Sequence, residues 1–165
     1  MDLDVAALTD IAIAGSVVVA LVFGIIQVLI AVRDRRERLT IEVVRGLQTR
    51  EFAQQLSDLS DRPPASTLAE WRALPESTRV THIQFLQELE ILGLLVFDKT
   101  IDFTLVERTL GSWVTIAWKG FQPFILDLRK QNNDPYMSEY FEWLAGRMET
   151  WLRDRPRMPA YQQNH

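Results

Sequence analysis

The sequence predicts an all-α protein: one N-terminal transmembrane helix extending into a stalk, then a small cytoplasmic helical bundle. Three observations predict it. Residues 11–32 read IAIAGSVVVALVFGIIQVLIAV without a charge. Apolar residues recur at three-to-four spacing through most of the remainder. The prolines, at 63, 64, 75, 123, 135, 156 and 159, fall where those periodic stretches should end or bend. A chain of 165 residues with 47% hydrophobic and 24% charged side chains suits one folded domain and an appendage. The absence of cysteine excludes disulfides, thiolate metal sites and a cysteine nucleophile, and a net charge of -4 argues against a general nucleic-acid binder.

Residues 1–10 read as a short non-cytoplasmic N-terminus carrying Asp2, Asp4 and Asp10. Residues 11–32 make a helix roughly 33 Å long, enough for a hydrocarbon core of about 30 Å. A cleaved signal peptide needs a basic start, and this start is acidic. Immediately after the span come Arg33, Arg35, Arg36 and Arg38, broken only by Asp34 and Glu37. The positive-inside bias therefore places the N-terminus outside and everything after Arg33 in the cytoplasm, with those arginines at the lipid headgroups. Within the span Ala12, Ser16, Ala20 and Gly24 recur every fourth residue, a strip on which a second helix could pack closely. Gln27, roughly 8 Å from the midpoint by helical rise, is a polar aid to such packing.

Residues 33–59 continue at helical period as a juxtamembrane stalk, with Gly46 a point for a kink or break. Residues 60–75 form a hinge around Pro63 and Pro64 with a short helix, LAEWRAL. The cytoplasmic domain covers 76–152. Its first helix starts at Pro75-Glu76-Ser77 and runs through ELEILGLLVF, and Asp98, Lys99 and Thr100 make a turn. A second helix begins after Asp102, with Phe103, Val106, Leu110, Trp113 and Ala117 on one face, and should break near Lys119 to Pro123 before a short helix PFILDLRK. Asp134 and Pro135 suit the N-cap and first position of a last helix, whose Met137, Tyr140, Phe141, Leu144, Met148, Trp151 and Leu152 share a face. Residues 153–165 read as a flexible tail.

The span, the arginine-rich helix after it, and the pattern ELEILGLLVFDKTIDFTLVERTLGSWVTIAWKGFQPFILDLRK followed by YFEWLAGRME resemble a bacterial family of small, single-span membrane proteins of unknown function. The most specific part runs from Glu88 to Arg147. The resemblance implies an all-helical C-terminal domain with Leu92-Gly93-Leu94 between two helices and Trp118 late in the next. It implies no catalytic residue.

The residues offer little to chemistry. His82 and His165 are the only histidines, so no histidine pair has metal spacing. Glu88 with Glu90, and Asp98 with Asp102, read as solvated charge rather than acid–base pairs. No phosphate loop or nucleophile elbow is present. The aromatics could stack on a flat cofactor, but such spacings belong more often to cores and interfaces. Neither cofactor, metal nor small-molecule substrate is expected, and no enzyme. A domain of this size leaves apolar helix surface uncovered, with Trp71, Trp143 and Phe85 off the main stripes. The sequence thus points to a noncatalytic accessory or scaffold subunit of a larger inner-membrane complex. Its partners would be the bilayer and other membrane subunits or copies of itself, and it would dock through Trp71, Trp143 and Trp151. A membrane-anchored signal relay across the hinge, and a small membrane enzyme or ligand carrier, are the alternatives.

Overall fold

A computed structural model describes residues 5–61, 64–155 and 159–162, without the side chains of 5–12, 60–61 and 160. Asp2 and Asp4, Pro63 of the hinge, Pro156 and His165 lie outside the described residues, as does the side chain of Ala12. Among the described residues there are six α-helices and no strand: α1 Val5–Leu47, α2 Arg50–Asp61, α3 Leu68–Arg72, α4 Glu76–Phe97, α5 Phe103–Asn132 and α6 Glu139–Asp154, with a 3-10 turn at Ala160–Gln162. The all-helical architecture, a long apolar N-terminal helix followed by a helical domain, is the one the periodicity predicts. The chain divides into two units, Met1–Arg38 and Leu39–His165.

The first unit holds most of α1. Every side chain from Ile13 to Arg35 is exposed, and the most apolar stretch has a mean hydropathy of 2.7 with none of it buried. Among the described residues two helices are long and apolar enough to cross a membrane; the other is α4, at a mean hydropathy of 1.3. The two differ in what covers them, since α4 buries Phe85, Leu89, Leu92, Gly93 and Val96.

The second unit begins with the last turns of α1, which bury Thr40, Val44 and Leu47. The break expected at Gly46 comes just after it: α1 ends at Leu47, and the Thr49 hydroxyl accepts the Phe52 N–H at 3.1 Å to start α2. Around these turns lies one core. It contains Phe52 and Leu56 of α2, Phe85 and Leu89 of α4, Phe121 and Ile125 of α5, and Phe141, Leu144 and Met148 of α6. Each such side chain contributes about 1.5–3 kcal/mol by leaving water. Phe85 corrects the sequence reading: it is 2% exposed, wedged between Phe52 and Phe121, not on the surface.

Helix ends are tied by polar contacts across long stretches of sequence. Asp102 caps α5 by accepting the Leu105 N–H at 2.9 Å, while its own N–H donates to the buried Thr40 hydroxyl at 2.8 Å. Thr67 caps α3 locally, and the Asp127 carboxylate on α5 accepts the Leu68 N–H at 2.7 Å. Arg129 of α5 donates to the Met137 carbonyl at 2.8 Å and to Glu142 at 2.6 Å, joining the end of α5 to the start of α6.

Three boundaries differ from expectation. Helix α5 runs unbroken through Pro123. A proline removes the N–H that would bond the Lys119 carbonyl, but both residues face solvent, where water replaces that bond. Buried Ala117, Trp118, Phe121, Phe124 and Ile125 hold the helix on either side. Helix α6 starts at Glu139, later than the Asp134-Pro135 signal suggests. Asp134 is used otherwise, accepting the Tyr136 N–H at 3.0 Å in a local turn. The Leu92-Gly93-Leu94 segment lies inside α4 rather than between helices.

The start of α6 depends on α4. Ser138, at its N-cap, is left-handed with φ 57° and makes no side-chain cap bond. Glu90 supplies the acceptors instead, taking the Tyr140 N–H at 3.2 Å and the Phe141 N–H at 2.8 Å. It is therefore a cap, not the solvated charge its sequence position suggests. One turn on, Gly93 lies so close to the Tyr140 carbonyl that a Cβ there would overlap it. Gly146 on α6 has open space where its Cβ would stand. We expect Gly93→Ala to lower stability by about 1–3 kcal/mol through overpacking against backbone, and Gly146→Ala to raise it by about 0.5–1 kcal/mol through helix propensity, both read as shifts in urea midpoint. Glu90→Ala should lose about 0.5–2 kcal/mol, the range for a missing N-cap, with a matching loss of amide protection at Tyr140 and Phe141.

Candidate functional site

The surfaces able to meet a partner are read here from each unit separately. In the first unit Ser16, Ala20, Gly24 and Gln27 are all exposed, and no atom stands where a Gly24 Cβ would lie. The Ser16 hydroxyl donates to the Ile13 carbonyl at 2.8 Å, so the side chain carries no unmet donor on the strip. Arg33 pairs with Glu37 at 3.1 Å on an exposed face, a contact worth little in water. Arg35 and Arg38 are exposed, and Arg36 is partly covered.

In the second unit the three tryptophans singled out by sequence are not one site. Trp71 stacks on Phe124 at 5.5 Å, with the Arg79 guanidinium 5.5 Å from its ring, so most of its role is to fasten α3 to α5. Its open edge lines a groove of about 350 Å³ with Ile83, Leu86, Phe124 and Leu128. Trp143 and Trp151 are brought together on α6, where they line a cleft of about 590 Å³ with Gly146, Arg147, Thr150 and Arg155. Their rings are anchored edge-on by Phe97 and Phe103, at 5.1 Å and 5.4 Å.

Sequence reasoning missed Trp113. It falls on the apolar stripe of α5 yet is 43% exposed, and it borders a groove of about 560 Å³ between α2 and α5 together with Phe52, Leu56 and Leu110. Helical spacing gives the direction of a side chain; whether another element covers it is settled elsewhere in the chain. Ile116, one turn on, is exposed to the same degree, a doublet that an apolar i, i+3 pair could have flagged.

Chemistry-bearing groups are scattered. Among the described residues no three of His, Asp or Glu gather as a metal site would need. Glu88, though exposed, is raised from the usual carboxylate range, first by partial desolvation and then by the charge of Glu51. His82 sits edge-on to Phe121 at 5.2 Å with its Nδ1 buried and without a hydrogen-bond partner. Burial pushes its pKa below the ordinary imidazole value, and Asp58 offsets part of that shift.

That depression sets a sign. The unfolded chain takes up a proton at His82 as pH falls through about 6.5, while the folded chain does so only at lower pH, so stability drops with pH across that interval. Glu88, shifted upward, acts oppositely in its own more acid range, because there the folded state holds the proton more tightly. Urea midpoints between pH 7.5 and pH 5.5 should fall for the native sequence and change less for His82→Gln; parallel curves for the two proteins would rule out this linkage.

Comparison with curated proteins and with solved structures finds no match. A family profile described as Domain of unknown function (DUF4760) matches residues 12–148, taking in both the apolar helix and the α2–α6 domain. On that match the chain belongs to the DUF4760 family.

Proposed function

We propose that the protein is a noncatalytic accessory or scaffold subunit of a bacterial inner-membrane complex, held by one span at residues 11–32 and docking through its cytoplasmic helical domain. The observation that carries this reading is that every described side chain between Ile13 and Val32 is exposed and apolar or small apart from Gln27, while the domain has a filled core of its own. An uncharged helix of this length finds its favourable surroundings in hydrocarbon, where its backbone bonds are already satisfied internally. Arg33, Arg35, Arg36 and Arg38 at one end support an orientation with the domain in the cytoplasm.

Docking rests on the surfaces rather than on any reactive centre. Trp113, Trp143 and Trp151 are large rings left partly open beside concave ground, the residue type that anchors interfaces. The strip of Ser16, Ala20 and Gly24 gives a second helix room to approach within the bilayer, with Gln27 offering an amide worth about 0.6 kcal/mol or somewhat more.

Because the chain lacks cysteine, single-cysteine variants report contacts without background. Ser16→Cys in native membranes should form a crosslink, to a second copy or to a larger subunit, that Gly24→Leu weakens severalfold. Recovery of the tagged protein only as a lone monomer, with no crosslinked species, would overturn the reading. Digestion of the helical domain by protease added outside intact cells would overturn the orientation.

A further inference from the structure

Helix α6 carries Trp143, Arg147 and Trp151 at successive fourth positions, which places them along one side of the helix, and Arg155 follows four residues on at its C-cap. In the structure this alternation becomes a continuous chain of contacts. Phe97 meets the edge of Trp143 at 5.1 Å, and the Arg147 guanidinium lies 5.1 Å from Trp143 and 4.6 Å from Phe103. Phe103 meets Trp151 at 5.4 Å, and the Arg155 guanidinium stands 4.4 Å from Trp151. A ring against the face of a guanidinium holds it in place and leaves the N–H donors, which lie in the guanidinium plane, free at its edge.

Among the described residues neither arginine has a carboxylate partner. Three of the four acids of α6 are engaged elsewhere, Glu142 with Arg129, Glu149 with Lys119 and Asp154 with Arg153, and the fourth, Glu139, lies at the far end of the helix. Arg108, exposed on α5, also lacks an acid among the described residues but has no ring against its guanidinium. Between Arg147 and Arg155 the cleft of about 590 Å³ offers the Thr150 hydroxyl and, at Gly146, open floor.

We infer that this cleft receives an acidic peptide segment of a partner protein, with one carboxylate on each guanidinium. The two arginines are separated by about 12 Å of helix axis, the span of four residues of extended chain at about 3.3 Å each. Carboxylates at i and i+4 of an extended segment therefore match both forks, and the rings contact the apolar residue between them. Concavity and the acidic Asp154 at the rim favour a discrete pair of carboxylates over the flat, continuous charge of a lipid surface. This inference rests on the docking reading above and names the chemistry of its partner.

The test uses the full chain in nanodiscs of phosphatidylcholine and a fluorescein-labelled peptide, Ser-Glu-Thr-Val-Thr-Glu-Ser, whose valine shares a face with both glutamates when extended, with its double-glutamine counterpart as control. Anisotropy should show the glutamate peptide binding at least tenfold more tightly than the glutamine one. That preference should fall at least fivefold in Arg147→Gln and in Arg155→Gln, fall also in Arg147→Lys, which keeps the charge and loses the fork, and stay unchanged in Arg108→Gln. Circular dichroism confirms that each variant is folded. Equal binding of the two peptides, or equal preference in all variants, would overturn the inference. So would a dependence on Arg147 and Arg155 seen only with vesicles containing phosphatidylserine, which would assign the cleft to lipid, or only in self-association measured by sedimentation. The two readings fail separately. A partner captured equally well by the native chain and the double Arg variant leaves docking intact and removes this cleft; a cleft that binds peptide in a protein without any crosslinked neighbour leaves the cleft and removes docking.

Discussion

Helix α6 begins without a cap of its own, and the arrangement of the domain follows from how that is resolved. Ser138 stands at the N-cap in a left-handed conformation, its hydroxyl unused. The free N–H groups of Tyr140 and Phe141 go to Glu90, which lies on α4 fifty residues earlier in sequence and places a negative charge at the positive end of the helix. Gly93, on the next turn of the same face of α4, is what permits the approach. A side chain there would lift α6 by about 1 Å, enough to carry both bonds past hydrogen-bond distance. Arg129 fixes the same end from α5 by holding the Met137 carbonyl and Glu142. The aromatic and guanidinium groups on α6 thus owe their placement to one glutamate, one glycine and one arginine on two other helices.

The two long apolar helices illustrate how burial, not composition, separates a core element from a lone one. Helix α4 is apolar enough to span a bilayer, yet it carries His82, Glu88 and Glu90 among its apolar residues and buries five residues in the domain. Desolvating those charges in lipid would be unfavourable by several kcal/mol, whereas in the domain Glu90 has backbone donors and Glu88 is exposed. Helix α1 has no charge from Ile11 to Val32, and the described side chains of that stretch are all exposed. The same physical rule, that apolar surface seeks apolar surroundings, sends one helix to the core and leaves the other for the membrane in the proposed reading.

What the sequence made legible was local. The long apolar run, the start of α4 at Pro75-Glu76, the Asp98 to Thr100 turn and the Asp102 cap all rest on neighbours within a few residues, and each stands where periodicity and capping rules put it. The misreadings share the opposite property. Pro123 looked like a break because its penalty of about 3 kcal/mol is local, while the packing of Trp118, Phe121 and Phe124 that outweighs it is not. Asp134 looked like a cap because the donor it satisfies, the Tyr136 N–H two residues away, competes with the helix start it resembles. Glu90 looked like solvated charge because its donors are remote in sequence. Of the tryptophans, Trp143 and Trp151 were legible as partly open rings, but Trp71 turned out to be chiefly a fastening between α3 and α5, and Trp113 was left open only because no helix closes the groove beside α2.

Anchoring changes what strength a docking cleft needs. A cleft with two guanidinium forks and a small apolar floor gives modest affinity, because exposed ion pairs each contribute about 1 kcal/mol or less and are screened by salt. Free in solution such a contact would be empty most of the time. Two proteins held in one bilayer, or joined through a helix pair within it, meet at an effective concentration that reaches the millimolar range for short connections, so a contact with a Kd of about 100 μM is mostly occupied. In the proposed reading the span and the cleft would be two halves of one binding event: helix packing through Ser16, Ala20 and Gly24 would supply proximity, and Arg147 and Arg155 the choice of partner, since an acidic segment is favoured there and a basic one is repelled.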